Sequence, residues 1–204
     1  LQYLHNIEVL QVRDNALIDI SALASIAKLT DVSLDLNHLS DLSALCHHHG
    51  LQKLTVRDNQ LTTLESFHGI NFPDLTRLEL YQNELTSVPE HSLRGLTSLT
   101  HLDLGRNKLQ YISGAALSQC VHLETLVLSQ NDLEAVPAPL LLPHLKKLWL
   151  GQNKLRDLQP WVPYLQQSPS STKALGKESD EDSEDRTSAS VSSAYASCPV
   201  WQWP

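Results

Sequence analysis

The stretch LTHLDLGRNKLQYI, Leu99 to Ile112, decides the fold. It carries aliphatic residues at its first, fourth, sixth, eleventh and fourteenth places (Leu99, Leu102, Leu104, Leu109 and Ile112) and asparagine at its ninth, Asn107. The alternation in LTHLDLG is that of a short strand with one buried face. Asparagine follows where the chain must turn, and its amide can bond to backbone groups that the turn leaves without partners.

The same template fits six more times, starting at Ile7, Leu29, Leu51, Leu75, Leu123 and Leu145. All 35 aliphatic places are Leu, Ile or Val, and seven of the nine asparagines fall on the ninth place: Asn15, Asn37, Asn59, Asn83, Asn107, Asn131 and Asn153. The spacings of 22, 22, 24, 24, 24 and 22 residues are too regular for chance. The pattern resembles that of the leucine-rich repeat family, whose LxxLxLxxNxL motif recurs about every 20–29 residues. The resemblance covers residues 1–165 and implies an α/β solenoid. In such a fold a right-handed horseshoe carries a parallel sheet on its concave face and short helical, 3₁₀ or extended segments on its convex face.

Working outward, the opening Leu1, Leu4 and Ile7 take the same step of three as Leu23, Ile26 and Leu29. The chain is therefore expected to begin partway through a repeat, with its N-terminal cap missing, because a solenoid needs a polar end unit. The segments that return to the next strand keep apolar residues three apart, as in Ile20, Leu23, Ile26 and Leu29. In the second repeat His48 takes such an inward place, flanked by His47 and His49. Adjacent residues point in different directions, so this run is read as a polar turn and not a metal site. The sixth return, AVPAPLLLPHL, is proline-rich and expected to be extended. From about Gln166 to Pro204 the composition turns to Ser, Thr and charge, with KESDEDSED at Lys177 to Asp185, and a disordered tail is expected. Within it, Ser179 stands three before Asp182, a spacing that suits an acid-directed kinase, but the run is read first as keeping the tail solvated. The closing WQWP, with Trp201 and Trp203, reads either as a docking peptide or as an artefact of gene prediction or truncation.

At 204 residues and 41% hydrophobic the chain can bury a core along its length. A net charge of −8 argues against general affinity for nucleic acid or anionic membrane. No apolar run approaches the ~18 residues of a membrane span. Three scattered cysteines make no disulfide framework, so reduced thiols and a cytoplasmic location are expected, with Cys120 an inward core residue.

Function should lie on the concave face, at the third, fifth, seventh and eighth places. Six acids and six bases share it, a balance that suits a protein partner better than a polyanion. The residues expected to bind are Arg57, Arg77, Glu79, Tyr81, His101, Asp103, Arg106 and Trp149; Tyr81 and Trp149 stand out because no buried template place explains them. Glu79 and Asp103 resemble a catalytic carboxylate pair, but Arg77, His101 and Arg106 surround them and no nucleophile, phosphate or metal motif accompanies them, so no enzyme and no cofactor are expected. The reading is a monomeric intracellular scaffold or regulatory subunit. The early 22-residue repeats look like those of the regulatory subunit of type 1 protein phosphatase and of cytoskeletal adaptors, which would imply a phosphatase catalytic subunit or a cytoskeletal protein as partner. The 24-residue repeats depart from that subtype. Two alternatives are a ligand-recognition segment of an extracellular or immune receptor and a substrate-recruiting subunit of a ubiquitin ligase.

Overall fold

Each template contributes one three-residue strand, and the strands stack in chain order. A computed structural model describes residues 6–64, 72–135, 142–157 and 201–202. The strands are β1 (Val9–Gln11), β2 (Asp31–Ser33), β3 (Lys53–Thr55), β4 (Arg77–Glu79), β5 (Ser87–Val88), β6 (His101–Asp103), β7 (Tyr111–Ile112), β8 (Thr125–Val127), β9 (Lys147–Trp149) and β10 (Trp201–Gln202). The main sheet has the order β1-β2-β3-β4-β6-β8-β9-β10. Its first seven strands are parallel, and identical template places face each other across every pair, as Leu54, Leu78 and Leu102 do. On the returning side β5 pairs with β7, and 3₁₀ turns form at Ser21–Ser25, Ser43–Leu45 and Gly114–Leu117.

The aliphatic places supply one continuous core. In the third repeat Leu51, Leu54, Val56, Leu61 and Leu64 are all essentially inaccessible, each worth about 1.5–3 kcal/mol relative to exposure. The outer coils are less covered: Ile7, Leu10, Val12 and Leu17 at one end and Leu145, Leu150 and Leu155 at the other are only partly buried. Phe72 and Cys120 complete the core of the longer repeats, and burial pushes the Cys120 thiol up to about 12. Cys120 and Cys46 are both free thiols.

The asparagines form a ladder. Each side-chain oxygen accepts the backbone N–H at the eleventh place of the preceding repeat, from Leu17 to Asn37 through Leu133 to Asn153, at 2.9–3.1 Å. Each amide nitrogen donates back to the carbonyl at the sixth place of the preceding repeat, as Asn107 does to Leu80 at 3.0 Å. Asn15 is exposed, and among the described residues its side chain bonds only to the carbonyl of Arg13. Immediately before every ladder asparagine stands a residue with positive φ: Asp14, Leu36, Asp58, Gln82, Arg106, Gln130 and Gln152, at 51–59°. This left-handed kink turns the chain out of the strand, and six of the seven residues are polar ones rather than glycine. At the other end of the strands Thr30, Thr76 and Thr100 donate their hydroxyls to carbonyls of the preceding repeat.

Two details differ from the sequence reading. His48 is buried, its two ring nitrogens lying 3.2 Å from the Leu45 carbonyl and 3.1 Å from that of Leu23, so it links the first two returns instead of sitting in a polar turn. Within the tail expected to be disordered, Trp201–Gln202 form a strand antiparallel to β9, with Trp201 opposite Leu148 and Gln202 opposite Lys147. The rest of that tail, the opening Leu1 and Leu4, and most of the sixth return lie outside the described residues.

Candidate functional site

Because strand neighbours stand only about 4.8 Å apart, side chains on the sheet face shield one another, and the face is not uniformly open. The fifth and seventh places are largely covered in the middle of the array: Glu79 is 2% exposed, Asp103 4% and Tyr81 5%. Accessible groups lie at the two rims, Lys53, Arg77 and Lys147 on the third place and Asp14, Leu36, Arg106 and Gln152 on the eighth.

Charge alternates diagonally across the strands. Arg13 reaches Asp35 at 3.4 Å, and Asp35 accepts the Arg57 backbone N–H at 2.9 Å. The Arg57 guanidinium pairs with Glu79, whose other oxygen takes Arg77, while His101 lies 3.9 Å away. A carboxylate this buried is tolerable only because it is paired on both sides. Burial works against the Arg57 charge, but Glu79, Asp35 and Asp103 together outweigh it and hold its pKa above the ordinary arginine value. His101 is pushed down, first by burial and then by Arg77. Asp58 is pushed up, first by burial and then by Asp35.

Glu79 and Asp103 are neighbours in register, as the spacing requires. Neither is presented as a catalytic pair would need: Glu79 is clamped between two guanidiniums and Asp103 accepts the Gly105 backbone N–H at 2.9 Å. Tyr81 corrects the expectation that no buried position explains it. Gly105, the same place one repeat on, has no side chain, and a Cβ there would come within 3.2 Å of the Tyr81 ring and 3.1 Å of Asp103. The empty place lets the ring lie down on the next strand. The sequence signal was present in the column Tyr81, Gly105, Ser129, Gly151, where a large residue is followed by small ones. Trp149 on β9 is half-buried and stands level with Val127, with β10 paired on the far side of its strand. The structure thus brings Arg57, Arg77, Glu79 and His101 together as one cluster, and leaves Arg106 and Trp149 outside its ion pairs.

Sequence comparison places this geometry in a family. The leucine-rich repeat profile matches residues 49–109 and 73–133, and a second profile describing two repeat copies matches residues 121–163, together more than half of the chain. The chain belongs to the leucine-rich repeat family. Among solved structures this leucine-rich repeat protein is similar to an internalin of Listeria monocytogenes, with a TM-score of 0.70 and 27% identity over 79% of this chain and 46% of that one. Internalin C2 of the same organism gives 0.68 and 28% over 79% and 69%. A leucine-rich repeat protein of Leptospira interrogans gives 0.68 and 28% over 76% and 39%. The chain therefore spans less than half the length of the first and third of these. No curated protein matches the sequence. Among the described residues no helix is long and apolar enough to cross a membrane.

Proposed function

We propose that this repeat array is a protein-interaction module that holds a partner against its sheet face, acting as an intracellular scaffold or regulatory subunit without catalysis of its own. The observation that carries the reading is the division of labour across the face. Buried ion pairs and the asparagine ladder fix the floor, while chemically varied side chains, Arg77, Arg106, Lys147 and Trp149 among them, stand where a partner can reach them. Trp and Arg are the types most often found to carry interface energy. Seven parallel strands at about 4.8 Å make a face near 29 Å long, enough for the roughly 800 Å² that one partner commonly contributes. Shallow clefts, such as the ≈ 250 Å³ one lined by Asp19, Ala24, Cys46 and His47, lie on the returning side, away from the clustered charges. Free thiols at Cys46 and Cys120 suit a reducing compartment.

The test is affinity purification from cells with the native chain and Arg106→Ala/Trp149→Ala in parallel, both checked for folding by circular dichroism. A specific partner should be lost with the double variant. Identical recoveries would reject the sheet face as the binding surface.

A further inference from the structure

Along one rim of the sheet face the third template place sets Lys53, Arg77, His101, Thr125 and Lys147 on five adjacent strands in direct register. At about 4.8 Å per strand this row is about 19 Å long. Its cations are accessible: the side chains of Lys53 and Arg77 are 56% and 44% exposed, and Lys147 is exposed as well. The acids of the adjacent column are not, since Glu79 and Asp103 lie beneath. Apart from Asp31, which flanks Lys53 at one end of the row, a ligand approaching the rim therefore meets ammonium and guanidinium groups before it meets carboxylates. Among the described residues the Lys53 ammonium has one ion pair, with the part-exposed Asp31 at 3.8 Å, and Lys147 has none. His101 adds a polar ring without fixed charge, because burial and Arg77 disfavour its protonation.

We propose that this row is a docking track for an acidic, extended peptide segment of a partner protein, about six residues long, whose carboxylates pair with Lys53, Arg77 and Lys147. The proposal rests on the reading of the sheet face as an interaction surface and names the chemistry of what it holds. An extended chain rises about 3.3 Å per residue with alternate side chains on one side, so six residues laid across the strands cover about 17 Å of the row and turn three acids toward it over about 13 Å, a shortfall that the long Lys and Arg side chains can bridge. Three fixed cations on a chain of net charge −8 suit a short acidic peptide; a nucleic acid backbone would meet too few cations to offset the repulsion of the whole.

The experiment measures fluorescence anisotropy of a labelled hexaglutamate peptide with the full chain at low salt. Lys53→Glu/Lys147→Glu should weaken binding at least tenfold, whereas Lys108→Glu/Lys154→Glu, the same charge change on cations away from the row, should leave it within about twofold. Lys53→Gln/Lys147→Gln, which removes charge without adding repulsion, carries the comparison if the reversed pair fails to fold. Equal binding by all variants would overturn the proposal, as would displacement of the peptide by a single-stranded oligothymidine at equal charge. The run Glu178–Asp185 of the chain itself is a further candidate occupant: if hexaglutamate binds only after its acids are changed to Gln and Asn, the partner assignment is overturned in favour of that segment. The two readings separate cleanly. Loss of a cellular partner by Arg106→Ala/Trp149→Ala together with unchanged hexaglutamate binding by the reversed pair would keep the interaction face and remove the acidic ligand.

Discussion

Replacing Asn107 by alanine should destabilise the chain by about 2–3 kcal/mol, whereas the same change at Asn15 should cost less than about 0.5. Asn107 accepts the Leu85 N–H at 3.1 Å and donates to the carbonyls of Leu80, Leu104 and Gly105. Those three carbonyls keep other donors, from Asn83, Asn131 and the Gln82 backbone respectively. The Leu85 N–H does not, and Leu85 is fully buried, so the alanine variant orphans one donor at about 1–3 kcal/mol and loses favourable bonds besides. Asn15 is exposed and its site is open to water, which can replace what the amide gave. With a urea slope of about 2 kcal/mol per M the Asn107 variant should unfold about 1 M earlier. Urea titration by far-ultraviolet circular dichroism reads both variants. Asn107→Asp should be at least as damaging as alanine, because it keeps the acceptor but turns a carboxylate toward three carbonyls. Equal midpoint shifts at Asn15 and Asn107, or an aspartate variant more stable than the alanine one, would refute the accounting.

Leu36 holds a φ of 57° with an exposed side chain; Leu36→Asn, a residue at ease in that conformation, should raise stability by about 1 kcal/mol, seen as a higher melting temperature. Gly105→Ala should lower stability by about 1–3 kcal/mol, since its Cβ meets both Asp103 and the Tyr81 ring, and a change in near-ultraviolet dichroism from Tyr81 should accompany it. Burial and then Arg77 lower the His101 pKa below 6.5, so the unfolded chain binds a proton that the folded chain resists. Stability should therefore fall as pH drops from about 6.5 toward the folded value, and His101→Gln should flatten that slope in urea titrations at successive pH values.

The frame of the molecule was legible because leucine and asparagine recur with a fixed period, and a period survives any local irregularity. The columns of the sheet face were equally legible as columns: the residues assigned to one place do stand in register. Which members of a column face solvent was not. That depends on what lies one strand over, as Gly105 does for Tyr81 and as Arg57 and Arg77 do for Glu79. Template place alone carries no information about a neighbour's size or reach. The left-handed kinks were missed for a different reason. Glycine is the usual marker of positive φ, and this chain puts Asp, Leu, Gln or Arg there instead, with the flanking backbone bonds, such as Leu36 N–H to the Arg57 carbonyl at 2.9 Å, holding the conformation in place.

Polar side chains at both ends of β2, β4 and β6 are committed to backbone: the hydroxyls of Thr30, Thr76 and Thr100 at the start, the amides of Asn37, Asn83 and Asn107 past the finish. What lies between is thus divided into letters that spell the scaffold and letters that spell a message. The third template place, which already reads Val, Asp, Lys, Arg, His, Thr and Lys down the array, belongs to the second kind. An engineer could rewrite that line, swapping its signs or seeding it with aromatics, and expect the coil underneath to stay the same while its choice of companion changes.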